Sequence, residues 1–380
     1  MTSNWIPTKT KEGALMKRRV FALLFACMML VSSASAAGGG LVTKDISERS
    51  ALTSFSREMS GKTEFGGMFF EGDTLVIAYV GASPASAGIP QVFSKDYKVV
   101  YRPVTYPLWQ LEAVKDYLAG YMYSHSILTL DASERENTVV IGLKDYSEEN
   151  IKAVTAIVEE AFGITDYLRF EDCTGQEICF TVSDTPIVPF WQREELEEKL
   201  NVEASQNTVV SGMPIQIDGG WYTFGPATSS KNGYSAGHGF SGSESVYTSG
   251  SFSPVGTAFS HFGGSNKDWS SITASYSATF APVVQLQDVH EGDTVHMLGA
   301  VSGFTEGEVL ATNQTVPVNI DGVTVTLTGM CSATYSSDMG DSGGAIFDSH
   351  PVTSSTAAYG VQSAKNTVTG ISYFTPLTDV

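Results

Sequence analysis

GDSGG at residues 340–344, followed by the strand-like AIF at residues 345–347, is the most informative stretch of this sequence. A serine hydroxyl is a weak nucleophile at neutral pH, so it needs a base to take its proton and donors to hold the oxyanion that forms. Glycines beside Ser342 let the backbone turn so that its N–H groups point at a substrate carbonyl. The alternative is a glycine-rich surface turn, but most residue types here are constrained. The stretch therefore predicts a nucleophile at Ser342.

A base for Ser342 should be a histidine on another segment. His238 ends the run YSAGH at residues 234–238, directly after Asn232-Gly233, which predicts a hairpin turn. A strand end there would place the imidazole at the rim of the fold. The other histidines beyond residue 206 lie beside charged or turn residues and are interpreted as surface groups: His261, His290, His296 and His350.

Asp268 is the candidate third member, which would orient the imidazole and stabilise its charged form. It lies in NKDWSSI at residues 266–272, where a polar loop runs into small and apolar residues. This pattern predicts a carboxylate buried at the start of a strand. The alternative is an ordinary turn aspartate.

The composition changes near residue 206. Residues 37–206 are rich in charge and show two helical patterns, at 111–122 and at 151–161, the second flanked by Ser147 as a candidate N-cap and Gly163 as a candidate C-cap. Short strand-like runs cover 126–130 and 138–143, and a further helix is predicted at 192–200. Residues 207–380 hold 3 lysines and no arginine, with short β-runs between turn signals such as Asp321-Gly322. The sequence predicts an α+β region followed by an all-β domain.

The first 36 residues are predicted to be an upstream segment and a secretory signal peptide, with Met16 as the true start. Basic residues 17–19 precede an uncharged apolar run at 20–31, and Ala34-Ser35-Ala36 fits the small-residue rule for cleavage after Ala36. The run is short for a membrane anchor, and Cys27 fits a lipoprotein signal poorly. We expect a secreted protein without a membrane anchor, with an α+β region at 37–206 and the β domain at 207–380.

Cys173 and Cys179 flank a short polar loop and are a candidate disulfide in an exported protein; the alternative is two unpaired thiols. The formal net charge of −19 argues against nucleic acid or anionic lipid as a partner, because neutralising phosphates takes clustered lysine and arginine.

The three segments SAGH at 235–238, DWSSI at 268–272 and GDSGG at 340–344 resemble, in that order, the signatures of chymotrypsin-like serine proteases. The detail is similar to the bacterial streptogrisin and α-lytic protease branch. Residues 292–316, 359–363 and 374–376 resemble further stretches of that branch. The resemblance covers about residues 209–380.

The resemblance implies two six-stranded β-barrels with the triad His238, Asp268 and Ser342 in the cleft between them. The N–H groups of Gly340 and Ser342 would form the oxyanion hole. Ser363 would lie beside Asp268, and Ser363, Ala364 and Lys365 would pair with a protein or peptide substrate. No metal or cofactor is implied. The branch uses pro-regions that assist folding and then inhibit the enzyme, and the region at 37–206 resembles one in placement and size.

Some residues depart from the family pattern. Relatives carry an arginine that pairs with the aspartate before the serine, and the β half has no arginine. Asp341 would then be a buried charge without a partner, which destabilises the fold. Cleavage before Val209 or Val210 would supply an α-amino group as its partner, and His296 is the competing candidate. Near the pocket, Lys365 would favour acidic side chains or point to solvent, and Asp338 would attract basic ones. A catalytically inactive binding domain with this fold is the alternative function.

Overall fold

The computed structural model describes residues 43–190, 208–249, 251–262, 266–320, 323–349, 352, 356–378 and 380. The predicted signal peptide, the helix predicted at 192–200 and the turn signal Asp321-Gly322 lie outside these residues. Among the described helices, none has the length and apolar character needed to cross a membrane.

Three helices and nine strands make up the described chain up to residue 180. The helices are α1 (Arg49–Ser60), α2 (Leu108–Ala119) and α3 (Glu148–Phe162). The strands are β1 (Thr43–Asp45), β2 (Phe65–Glu71), β3 (Thr74–Tyr79), β4 (Gln91–Phe93), β5 (Lys98–Pro103), β6 (Ile127–Ser133), β7 (Thr138–Leu143), β8 (Leu168–Asp172) and β9 (Ile178–Phe180).

Helix α3 shows why the sequence pattern predicted it. The Ser147 hydroxyl accepts the N–H of Asn150, and Gly163 adopts a left-handed conformation with φ of 79°, its N–H donating to the Glu159 carbonyl. Buried Val154 and Val158 pack this face into a shared core with α2. The predicted caps are confirmed. The predicted strand at 138–143 coincides with β7.

Beyond residue 207 the described elements are strands, as predicted. They are β10 (Thr208–Val210), β11 (Pro214–Ile217), β12 (Gly220–Thr223), β13 (Asn232–Ser235), β14 (Ser243–Thr248), β15 (Gly256–Ser260), β16 (Ser270–Ala274), β17 (Thr279–Ala281), β18 (Gln285–Leu286), β19 (Thr294–Gly299), β20 (Gly303–Ile320), β21 (Val323–Ala333), β22 (Ala345–Phe347), β23 (Ala357–Asn366) and β24 (Ser372–Pro376).

Twelve of these fifteen described strands form two groups of six; β10 pairs with β17, and β18 pairs with β23. The first is a sheet in the order β12-β11-β14-β15-β16-β13, with a core that includes Ile215, Phe224 and Ile272. The second runs β19-β22-β23-β24-β21-β20, and β19 also pairs with β20, so this group closes on itself. Strands β6, β7 and β8 extend the second sheet beyond β20 through the pairing of Leu130 with Thr315. The fold is therefore mostly β-strand.

The turn predicted at Asn232-Gly233 is misplaced. Both residues belong to β13, and the turn precedes them, with the Ser229 hydroxyl accepting the N–H groups of Lys231 and Asn232. Gly233 serves packing instead, because a Cβ there would lie 2.5 Å from the Phe224 ring.

The predicted disulfide is wrong, because Cys173 and Cys179 are free thiols in the structure. Cys173 follows β8, and its Sγ packs so tightly over Gly142 that a Cβ on that glycine would lie 2.8 Å away. Cys179 lies in β9, opposite Lys365 of β23. Strand β8 pairs with β7, whereas β9 pairs with β23, so the two cysteines have different neighbours.

Candidate active site

The antiparallel pairing of β13 with β16 brings His238 and Asp268 together. Ser235 pairs with Ser270, so His238 just beyond one strand lies beside Asp268 just before the other. His238 Nδ1 lies 2.6 Å from Asp268 Oδ2, and His238 Nε2 lies 2.9 Å from Ser342 Oγ. The structure thus unites the three predicted residues in one hydrogen-bonded chain.

Asp268 is fully buried, yet it is well provided with donors. Its Oδ1 accepts the N–H groups of Gly237 and His238, each at 2.8 Å, and its Oδ2 accepts the hydroxyl of Ser363. Burial by itself raises the pKa of Asp268, but the charge of His238 and these hydrogen bonds outweigh it, so the pKa is lowered from its usual value. The carboxylate therefore stays ionised beside the imidazole.

Glycines shape the loop that carries Ser342. Gly340 and Gly343 have φ of 104° and 88°, conformations that side chains rarely adopt. A Cβ on Gly343 would lie 2.0 Å from Ser235 Oγ. The glycines at these two positions are thus required by backbone shape and by close approach.

The N–H groups of Gly340 and Ser342 converge on one atom. Both donate to the carbonyl oxygen of Thr181, at 2.5 and 3.3 Å respectively. Two backbone donors aimed at one carbonyl oxygen beside a serine hydroxyl are an arrangement that can stabilise an oxyanion. The two residues predicted for this role therefore lie in position for it.

Residues 178–183 fill the groove next to Ser342. Strand β9 pairs antiparallel with β23, with Phe180 opposite Ala364 and Cys179 opposite Lys365. The ring of Phe180 stacks on His238 with centroids 3.9 Å apart. Sequence reasoning missed this segment, because nothing in its residue types distinguishes it from any other short apolar run.

Asp341 finds its partners in the backbone. Its Oδ1 accepts the N–H groups of Val301 and Ser302 at 2.8 and 3.1 Å, and its Oδ2 accepts the N–H of Asp338 at 2.8 Å. Burial still raises the pKa of Asp341. His296 lies 3.7 Å from Glu306 and is not the partner that the sequence suggested. The Ser302 side chain and these backbone N–H groups thus take the place of the missing arginine.

The two charged residues predicted near the pocket bind each other. Lys365 Nζ lies 2.9 Å from Asp338 Oδ1 and also donates to the Ser337 carbonyl. Beside them Gln362 is fully buried, with its Nε2 donating to Ser337 Oγ at 3.1 Å and to the Ala364 carbonyl at 2.9 Å. The sequence analysis did not single out Gln362.

No protein-family model matches this sequence, and no curated protein matches it. Similar solved structures include Thermobifida fusca Protease A, with 26% identity, coverage of 45% of this chain and 93% of that chain, and a TM-score of 0.37. Cellulomonas bogoriensis chymotrypsin has 21% identity, 45% and 93% coverage and a TM-score of 0.35. A glutamic acid specific serine protease has 23% identity, 45% and 95% coverage and a TM-score of 0.35. Each of these similarities covers less than half of this chain.

Proposed function

We propose that this chain is a secreted serine endopeptidase, made as a precursor, that hydrolyses peptide bonds through an acyl-enzyme. The observation that carries the proposal is the hydrogen-bonded chain from Ser342 through His238 to Asp268, with the Gly340 and Ser342 N–H groups converging beside it. Each part of the chemistry requires one of these groups at this position.

In the proposed reaction Ser342 Oγ attacks the substrate carbonyl while His238 Nε2 takes its proton. Asp268 holds the Nδ1–H of the imidazole and stabilises the imidazolium that forms. The two backbone N–H groups bind the oxyanion, a contribution of about 10²–10³ in rate for one donor. His238 then protonates the leaving amine, and water hydrolyses the ester by the same route in reverse.

The strand order supports the expected pair of barrels. The six-stranded sheet carries His238 and Asp268, and the six strands that close on themselves carry Ser342. Catalytic groups contributed by both halves would place the reaction at their junction.

The precursor proposal rests on the blocked groove. With residues 178–183 in place, Ser342 and Asp268 are fully buried and His238 is nearly so. A substrate has no room beside the nucleophile while this segment remains. Residues 37–206 would therefore act as an intramolecular inhibitor as well as a folding aid.

The proposal is tested by labelling with a fluorophosphonate, which reacts with activated serines. In Ile178→Asp a carboxylate replaces a side chain buried among apolar groups, so β9 should leave the groove. We expect this variant to label at Ser342 at least about tenfold faster than the wild type. Val188→Asp, which also replaces a branched aliphatic side chain by aspartate but at an exposed site, should label like the wild type.

The added substitution Ser342→Ala should abolish labelling of Ile178→Asp. An Ile178→Asp protein that unfolds cooperatively but stays unlabelled would favour the alternative, a catalytically inactive protease-like binding domain.

A further inference from the structure

A single peptide bond, Thr181–Val182, is held by main-chain hydrogen bonds on both sides. Before it, β9 forms an antiparallel ladder with β23, and the Thr181 N–H donates to the Ser363 carbonyl at 3.1 Å. After it, Ser183 and Trp221 exchange two hydrogen bonds, at 3.1 and 2.8 Å. Residues 178–183 are therefore bound in an extended conformation across the site.

The carbonyl of this bond is the one that the oxyanion donors polarise. Its oxygen accepts from Gly340 and Ser342, and the Thr181 hydroxyl lies 3.0 Å from Ser342 Oγ. The segment is thus presented to the nucleophile in the way that a substrate must be.

The side chain of Thr181 is enclosed by polar groups. It is fully buried, and its Oγ1 donates to the Ser363 carbonyl at 3.2 Å. Gln362 Nε2 lies 3.5 Å from this Thr181 Oγ1. Gln362 itself is fixed, since its Oε1 accepts the Tyr335 hydroxyl at 2.5 Å. A small side chain with a hydroxyl fits these surroundings, and a long or charged one does not.

We propose that Thr181–Val182 is the bond of its own precursor that this site cleaves, and that its substrates are extended peptides with threonine or serine before the scissile bond and an aromatic residue one place earlier. The aromatic preference follows from the stacking of Phe180 on His238. This inference rests on the proposed function and adds the substrate class.

The reaction balances as a hydrolysis. Ser342 Oγ bonds to the Thr181 carbonyl carbon, and the bond to the Val182 nitrogen breaks as that nitrogen takes the proton that His238 received from Ser342. Water then cleaves the ester and leaves a carboxylate on Thr181. The new chain would begin at Val182.

This bond replaces the site suggested by the sequence. Val209 is almost fully buried and pairs with Phe280 in a parallel ladder of β10 with β17, so its neighbouring peptide groups are engaged in a sheet. Among the described residues, no contact presents these peptide groups to Ser342.

The first test is N-terminal sequencing and intact mass of the full-length protein during incubation after purification. We expect a product that begins at Val182 from the wild type and from Thr181→Ser, and none from Ser342→Ala. Thr181→Arg should lose this product by at least about 100-fold, because a long cation would replace a fully buried side chain. Thr185→Arg, the same change at an exposed threonine, should be cut like the wild type.

Cleavage at another bond, no cleavage over a day, or an unchanged cut in Thr181→Arg would each overturn the inference. The proposed function would survive these results if Ile178→Asp still labels at Ser342. If Ser342→Ala is cut like the wild type and nothing labels, the proposed function fails as well.

The second test uses peptides of residues 177–184, EICFTVSD, and the matched EICFVVSD. Valine has the shape of threonine without the hydroxyl, so the ratio of kcat/KM isolates the polar contact. We expect the processed wild type to prefer threonine by about tenfold. Gln362→Leu should bring the two peptides to within about twofold of each other. Equal rates in the wild type would show that the hydroxyl is not selected.

Discussion

At the scale of single residues, the burial of Asp268 governs the candidate site. Its carboxylate has four donors around it, three of them from the segment 237–238 and one from Ser363. Replacing Oδ2 by an amide nitrogen would keep the two bonds that Oδ1 accepts, but it would remove the acceptor of the Ser363 hydroxyl and of the proton on His238 Nδ1. Asp268 thus favours the tautomer of His238 that carries its proton on Nδ1.

Asp268→Asn should therefore lower kcat by about 10³–10⁴, because the amide favours the wrong tautomer of His238. The folded structure should remain intact, so the free energy of unfolding should change little. Peptide hydrolysis by the processed enzyme, with urea unfolding alongside, provides the measurement. Asp184→Asn, at an exposed site, is the matched control. A loss below about tenfold for Asp268→Asn would mean that Asp268 does not orient the base.

At the scale of elements, the turn between β6 and β7 places several acidic side chains close together. Glu134 Oε2 accepts the Met68 N–H, and Asp131 and Glu291 lie close enough to disfavour its charge. Burial raises the pKa of Glu134 to about 8 and that of Glu291 to about 7, although Arg135 contacts Glu291. The pKa of buried Asp131 is raised as well.

These raised values predict a pH dependence of stability. Between the ordinary glutamate pKa near 4.5 and about 8, the folded protein holds more protons than the unfolded chain. Its stability should be full at acidic pH and fall as the pH rises through about 7 to 8. In a Ser342→Ala background, calorimetry should show Glu134→Gln to be less sensitive to pH and higher in Tm at pH 9. Glu160→Gln, at an exposed site, should follow the parent, and a parallel decline in both variants would contradict the account.

Features that depend on residues close together in the chain could be predicted from the sequence. The caps of α3 and the strand β7 follow from spacing and residue type, and His238, Asp268 and Ser342 were predicted from short motifs that resemble those of a known family. The partner of Asp341, the turn before β13 and the separation of Cys173 from Cys179 depend on contacts between distant strands. The same holds for Thr181, which lies 161 residues before Ser342 in the chain and reaches it through the pairing of β9 with β23. Such pairings leave no periodic signal.

At the scale of the molecule, the two halves of the chain are joined by complementary charge. The half beyond residue 206 has no arginine. Its carboxylates form ion pairs with arginine side chains of the first half. Arg49 binds Asp293 through two hydrogen bonds, at 3.0 and 2.9 Å, and Arg57 binds Asp288 in the same way. Asp293 is nearly fully buried, so its charge depends on Arg49 and on the N–H of His290.

Arg49→Ala should destabilise the uncut protein by about 3–5 kcal/mol, because it leaves a buried carboxylate without its cation. Arg102→Ala removes an equally two-pronged but exposed pair with Glu71 and should cost about 0–1 kcal/mol. Urea unfolding in the Ser342→Ala background compares them. Equal losses would show that burial at Asp293 does not matter.

The most direct test of the central claim is a cycle of Ser342→Ala, His238→Ala and the double variant, measured as kcat on the peptide EICFTVSD after every protein, the parent included, has been cut by an added protease at a recognition site introduced after Thr181, because Ser342→Ala would not process itself. Groups that act as one unit are not additive, so each single change should cost about 10⁴ or more and the double change little beyond that. That result would establish Ser342 and His238 as one catalytic unit. Losses that simply multiply, or a Ser342→Ala protein that retains the wild-type rate, would contradict the account.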